Sequence, residues 1–227
     1  MLRHKLETYG QYLFRYIDCI LDRVPIVGFT LFLCGILFSA PACTTHLGET
    51  EISYEADVSS DNSQLHVEEA FRRFYETYGG IESLGNPITS IMIVDGWRVQ
   101  YFEMARLEYH PENDPAYRVT VGWLGDILQR RRPPLPPSSL PPSTSSHSRY
   151  FAETGHTLSG DFLDYFDAHG GSVRFGKPIS EPFLLNGRLT QDLQSARFFW
   201  TPDLNPPISL ENIGLTHLET IGQNNKK

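Results

Sequence analysis

Along residues 67–78 the apolar positions recur at three-and-four spacing: Val67, Ala70, Phe71, Phe74, Tyr75 and Tyr78. That spacing predicts an amphipathic helix. Gly79-Gly80 gives it a stop, because glycine after a helix takes the left-handed conformation without a Cβ penalty. Gly85-Asn86-Pro87 then predicts a turn that aims the next strand. Beyond it the period changes. Ile91-Met92-Ile93-Val94 and Trp97-Arg98-Val99-Gln100-Tyr101-Phe102 are strand-like runs separated by Asp95-Gly96. That dipeptide predicts a type I′ hairpin, since both central positions need positive φ. Residues 105–110 alternate, which places Ala105, Leu107 and Tyr109 inward and Arg106, Glu108 and His110 outward. After the turn at 111–115, residues 117–121 predict another strand and 123–129 a short helical end.

The same pattern returns 91 positions later without a gap. Phe162, Tyr165, Phe166 and His169 repeat the helix face, with Ser159-Gly160-Asp161 before it as an N-cap and Gly170-Gly171 after it. Gly176-Lys177-Pro178, Asn186-Gly187, Gln191, Ala196-Arg197 and Pro202 follow at the offsets set by Gly85-Asn86-Pro87, Asp95-Gly96, Gln100, Ala105-Arg106 and Pro111. Phe198 and Trp200 match the inward Leu107 and Tyr109. The expected fold class is α+β: two small repeat units, each a helix plus an antiparallel β-hairpin sheet, joined by a Pro/Ser-rich linker. A unit of about 60 residues is near the lower limit for independent stability, so packing of the units on each other is left open.

The remaining segments give the boundaries. Residues 1–42 contain an uncharged apolar run from 24 to 42, preceded by Arg3, Lys5, Arg15 and Arg23 and followed by Glu49, Glu51, Glu55 and Asp57. The positive-inside rule puts the bulk of the chain across a membrane. Ser39-Ala40-Pro41-Ala42-Cys43 resembles the lipobox of bacterial lipoproteins, which implies Cys43 as a lipidated residue; an uncleaved anchor of 19 residues or simple secretion are the alternatives. All three give an extracytoplasmic location at the cell membrane. Residues 43–66 are polar and acidic and predict a flexible tether. Repeat unit 1 is assigned 67–129 and repeat unit 2 149–222, with a tail at 223–227. Between the units, residues 130–148 are rich in Arg, Pro and Ser and predict a semi-rigid extended spacer.

Composition narrows the function classes. The net charge of −8 argues against nucleic acid as a partner. Cys19, Cys34 and Cys43 all precede the repeats, so no disulfide or thiolate metal site is expected within them. Neither a cofactor nor a metal is expected, since no HExxH, GxSxG or Walker pattern occurs. Glu103, Glu108 and His110 are the one set with acid–base chemistry, but the second copy carries Gln194, Phe199 and Thr201 there. Structural or surface roles are the favoured reading for them, and for Arg106, Arg197, Gln100 and Gln191 bonds to backbone or carboxylate groups. Candidate ligand-binding residues are Trp97, Tyr101, Arg106, Tyr109, Arg197 and Trp200, because Tyr and Trp stack on sugar rings while offering a polar edge. Trp123 and Phe199 belong to the same aromatic set.

Residues 151–163, with Gly170-Gly171 and Phe175-Gly176-Lys177-Pro178-Ile179-Ser180, resemble an uncharacterised repeat of secreted and lipid-anchored bacterial surface proteins. Residues 99–112 and Gly122-Trp123-Leu124-Gly125-Asp126 carry the other half of that pattern. The chain is also loosely similar to the LGFP repeats of cell-wall proteins. The resemblance implies an extracytoplasmic module beside wall-binding or catalytic domains and assigns no reaction. The expected function is non-catalytic attachment or recognition at the cell envelope, with glycan, peptidoglycan or an envelope protein as partner, by a monomer. The alternatives are an envelope glycan hydrolase using Glu103 and Glu108, and a protein-interaction scaffold.

Overall fold

In the computed structural model residues 65–136 and 147–224 are described, and they form an α+β fold. Helix α1 (Glu69–Thr77) buries Phe71 and Phe74 on the face its periodicity predicted. A one-turn helix, α2 (Gly80–Ser83), follows the glycine stop and is too short to leave a periodic signal. Strands β1 (Met92–Val94), β2 (Trp97–Phe102), β3 (Ala105–Tyr109) and β4 (Val119–Val121) form an antiparallel meander in sequence order. Val94 pairs with Trp97 across the first turn, and Asp95 and Gly96 both have positive φ, 52° and 82°. Helix α3 (Leu124–Ile127) closes this half.

The second half opens with an unforeseen hairpin, β5 (Ser148–Phe151) and β6 (His156–Ser159). Helices α4 (Gly160–Ala168) and α5 (Gly171–Phe175) come next. Ser159 stands at the N-cap position of α4, but its side chain makes no capping bond. Strands β7 (Phe183–Leu185), β8 (Arg188–Asp192), β9 (Arg197–Trp200) and β10 (Ile208–Leu210) form a second meander, and α6 (Ile213–Asn224) ends the described chain. Each half has its own core. Phe71, Phe102, Ala105 and Leu107 centre one; Phe162, Phe175 and Phe198 centre the other.

Bonds at equivalent positions tie the loops of each half to its sheet. The Gln100 side-chain amide donates to the His66 and Thr89 carbonyls at 2.8 and 3.0 Å, and that of Gln191 donates to Thr157 and Ser180 at 2.6 and 2.9 Å. The Thr89 hydroxyl accepts from the Tyr101 amide, and the Ser180 hydroxyl accepts from the Asp192 amide. Glu103 Oε2 accepts from Asn86 N and Gln194 Oε1 from Lys177 N, each at 2.8 Å. These bonds explain why an acidic residue in one half is replaced by an amide in the other: the position needs an acceptor oxygen, not a charge.

The halves grip each other reciprocally. The Gly125 amide of α3 donates to the Gln194 carbonyl at 2.7 Å, and the Gly214 amide of α6 to the Glu103 carbonyl at 3.0 Å. A Cβ on Gly125 would lie 2.2 Å from the Leu193 carbonyl oxygen, and one on Gly214 2.0 Å from that of Phe102, so only glycine allows either approach. Arg174 of α5, fully buried, donates to the Ser83 hydroxyl and carbonyl and to the Met104 carbonyl. Because α1 covers one side of the first sheet and α6 reaches β2 and β3 as well, the simple in–out alternation fails there. Arg106, expected outward, is buried beside Tyr101.

Where a free spacer was expected, residues 130–136 run along the second half. Arg130 pairs with Glu211, the Arg132 amide donates to Ile179 O, and the Leu135 amide donates to Gly155 O. The Arg132 guanidinium sits 3.7 Å over the Phe183 ring. Residues 137–146 lie outside the described residues, as do the tether and N-terminal segment to residue 64, including Cys43.

Candidate functional site

The six ligand-binding candidates fall into three settings. Trp97, at the start of β2, and Tyr109, at the end of β3, meet in a shallow solvent-open cleft of about 310 Å³, shared with Gly96, Arg98 and Pro111. The two rings stand at one end of the first sheet but on opposite faces: Tyr109 pairs with Arg98 and packs on the first core, and Trp97, one residue earlier, stacks on His110. The cleft wall is partly self-stacked. His110 lies 4.3 Å from the Trp97 ring centre and the Arg98 guanidinium 4.6 Å over Tyr109.

Tyr101 and Arg106 are in contact with each other but not with solvent. The Tyr101 hydroxyl accepts from Arg106 Nη1 at 3.3 Å and lies 3.0 Å from His217 Nδ1, contributed by α6. Arg106 also pairs with Glu108, whose other oxygen lies 3.3 Å from His110 Nε2; His110 Nδ1 in turn lies 3.2 Å from Glu112. A polar chain therefore runs from the base of α6 through β3 to the rim of the Trp97 cleft. Burial, reinforced by the nearby Arg106 guanidinium, holds the His217 imidazole down to about 4 from 6.5. Arg106 itself is raised: burial acts against its charge, and Glu108 and Tyr101 outweigh that.

Arg197 and Trp200 stand in the second sheet. Arg197 makes a two-point bond to Asp192 at 2.6 and 3.2 Å, with Glu211 at 3.6 Å. The Trp200 indole N–H donates to Asp161 Oδ2 at 3.0 Å, and its ring packs against the core. These side chains serve internal bonds of the kind expected for Arg106, Arg197, Gln100 and Gln191.

The carboxylates of the enzyme alternative do not converge on a shared opening. Glu103 sits in the β2–β3 turn with its Oε2 on the Asn86 amide, and Glu108 is bonded to Arg106 on β3; neither lines the Trp97 cleft. His156, which the sequence assigned to capping or packing, is fully buried between Glu181 Oε1 at 3.3 Å and the Arg132 carbonyl at 3.1 Å. It joins the strap at 130–136 to the second half. No group of three or more His, Cys, Asp or Glu side chains among the described residues is arranged to hold a metal ion.

A second opening, of about 360 Å³, lies on the seam between the halves. Trp123 forms one side of it, just before α3, and the second half forms the other with Lys177 and Gln194. Nothing in the periodicity distinguished Trp123 from core aromatics. Its place two residues before a closely packed glycine is visible only once Gly125 is seen against Leu193.

No family model matches the chain, and no curated protein matches it. Among the described residues no helix is long and apolar enough to cross a membrane; the apolar run at 24–42 lies outside them.

Proposed function

We propose that the chain is a non-catalytic, extracytoplasmic attachment protein that recognises cell-envelope glycan through the Trp97–Tyr109 cleft. The observation that carries this reading is the contrast between that cleft and the rest of the candidate set. Trp97 and Tyr109, both half-buried, line an opening, while Arg106, Arg197, Tyr101 and Trp200 hold hydrogen bonds inside the fold. A shallow open cleft lined in part by an indole and a phenol suits a sugar ring, which offers an apolar face and a hydroxyl edge. Arg98, which lines the cleft, supplies hydrogen-bond donors.

In this reading the chain consists of two copies of one unit, at 67–129 and 149–222. The matched bonds of Gln100 and Gln191, of Thr89 and Ser180, and of Glu103 and Gln194 support it. The copies act as one body because each donates a glycine amide to the other's sheet turn. The export signal at 1–42, with Cys43 as a lipid attachment point, supports placement at the outer face of the membrane.

A glycan hydrolase needs two carboxyl groups flanking one bond, about 5 to 10 Å apart. Glu103 and Glu108 hold internal partners and do not share a cleft, which weighs against catalysis. Co-sedimentation of the full chain in detergent with purified peptidoglycan sacculi tests the proposal. Retention without release of soluble fragments is expected. An unretained protein would turn the reading toward a protein-interaction scaffold, and steady fragment release would turn it toward the hydrolase.

A further inference from the structure

We infer that the seam opening is a second ligand site, built for a neutral, hydroxyl-rich ring that stacks on Trp123. The inference extends the glycan reading to a site that it does not use. Trp123 is 56% exposed and, among the described residues, has no ring, cation or hydrogen-bond partner. Trp97 has His110 on it, Tyr109 has Arg98, and Trp200 is bonded to Asp161. Trp123 is thus the one indole whose faces and N–H the described fold leaves unused.

The fold does not need a tryptophan there. The packing of this corner is done by Leu124, which is fully buried, and by Gly125, whose amide bonds Gln194 O. On the other side of the seam Ile213 and Gly214 do the same work, and the residue before them is an exposed Asn212. Two reciprocal contacts, each a buried apolar residue followed by a close glycine, are thus preceded by an exposed Trp123 in one half and an exposed Asn212 in the other. An exposed indole at the mouth of an opening presents a flat face that a ligand can cover.

The surrounding groups select the ligand class. The two cations at the opening are already neutralised: Arg131 binds Asp126 through two bonds of 3.0 Å, and Lys177 binds Glu153 at 2.9 Å. An anion would have to break one of these pairs. What remains is uncharged, the hydroxyls of Thr154 and Ser172. One flat apolar face with hydroxyl partners at its edge is the complement of a pyranose, whose ring CH groups stack while its hydroxyls exchange bonds. Thr154 lies in the β5–β6 loop, for which the first half has no counterpart among its described strands, so the opening exists on one side of the seam only.

The test is a titration of the full chain in detergent with N-acetylglucosamine tetramer, reading the indole N–H resonances of Trp97, Trp123 and Trp200. The Trp123 signal is expected to shift in a saturable way, equally at low and high salt. Trp97→Ala should leave that transition within about threefold in affinity, and in Trp123→Ala the saturable shift of the neighbouring Leu124 and Gly125 amides should be lost. Shifts at Trp97 alone would overturn this inference and leave the first cleft standing. Shifts at neither would overturn both. A Trp123 shift produced by a synthetic peptide of residues 133–148, and not by the tetramer, would overturn it in favour of a proline-rich occupant.

Discussion

Arg174 shows how much a single residue decides here. It is fully buried, no carboxylate pairs with it among the described residues, and burial holds its pKa down to about 10. Three bonds to Ser83 and Met104 offset part of that cost, and Nη1 has no protein partner. Replacing a buried ionic group with an apolar one of similar length costs less than deleting it, because the burial of charge is relieved as well. Arg174→Ala should lose about 2–4 kcal/mol in urea unfolding, through a cavity and two orphaned carbonyls. Arg174→Met should lose clearly less. His217 gives a pH test. Its folded pKa lies below its unfolded one, so the unfolded chain binds the extra proton between about 6.5 and 4. Stability should therefore fall as pH drops through that window and be complete above it. In His217→Gln the melting temperature should depend less on pH there; an unchanged dependence would place the titration elsewhere. At this scale the sequence was informative about Gln100 and Gln191, whose recurrence implied a backbone role. It was misleading about Arg106, because alternation in one strand cannot reveal that a distant helix covers the second face.

The hairpins were legible among the elements because Asp95-Gly96 and Asn186-Gly187 state their turn chemistry locally. Helix α1 was legible because its core face is a regular stripe. Helix α6 was not: it contains Gly214 and Gly222 with β-branched Ile213, Thr216, Thr220 and Ile221, a composition with weak helix propensity that owes its form to packing on β2 and β3. Strand β10 was hidden by the preceding Asn205-Pro206-Pro207, and the β5–β6 hairpin by a loop without a two-residue turn signal. The two glycines of α6 should behave oppositely. Gly214→Ala drives a Cβ into the Phe102 carbonyl and should cost about 3 kcal/mol, as should Gly125→Ala against Leu193. Gly222 has nothing within 4 Å of a Cβ, so Gly222→Ala should stabilise by about 0.5–1 kcal/mol. Thermal melts of the three variants distinguish a seam built on close backbone approach from a general intolerance of substitution.

For the whole molecule, the consequence of the reciprocal grip is that a small core in each half is supported by the other. A half of this size would be marginal alone, and the exchanged glycine amides and Arg174 link the two halves. The α+β class could be read from the period changes. The candidate site could be read only in part: Trp97 and Tyr109 were named for their chemistry, and the seam opening depended on which residues meet across the halves. Placement outside the cytoplasm rests on residues 1–43, and mass spectrometry of the mature chain should find an N-terminal diacylglyceryl-modified Cys43; an unmodified Met1 would remove the lipid anchor from the account. The central claim is that the Trp97–Tyr109 cleft binds glycan without cleaving it. Sedimentation isotherms on purified sacculi, comparing wild type with a folded Trp97→Ala, Tyr109→Ala double variant, test it most directly. The account predicts that wild type is retained, releases no reducing ends, and loses about tenfold or more in affinity in the variant. Equal retention of both proteins, or release of reducing ends by wild type, would contradict it.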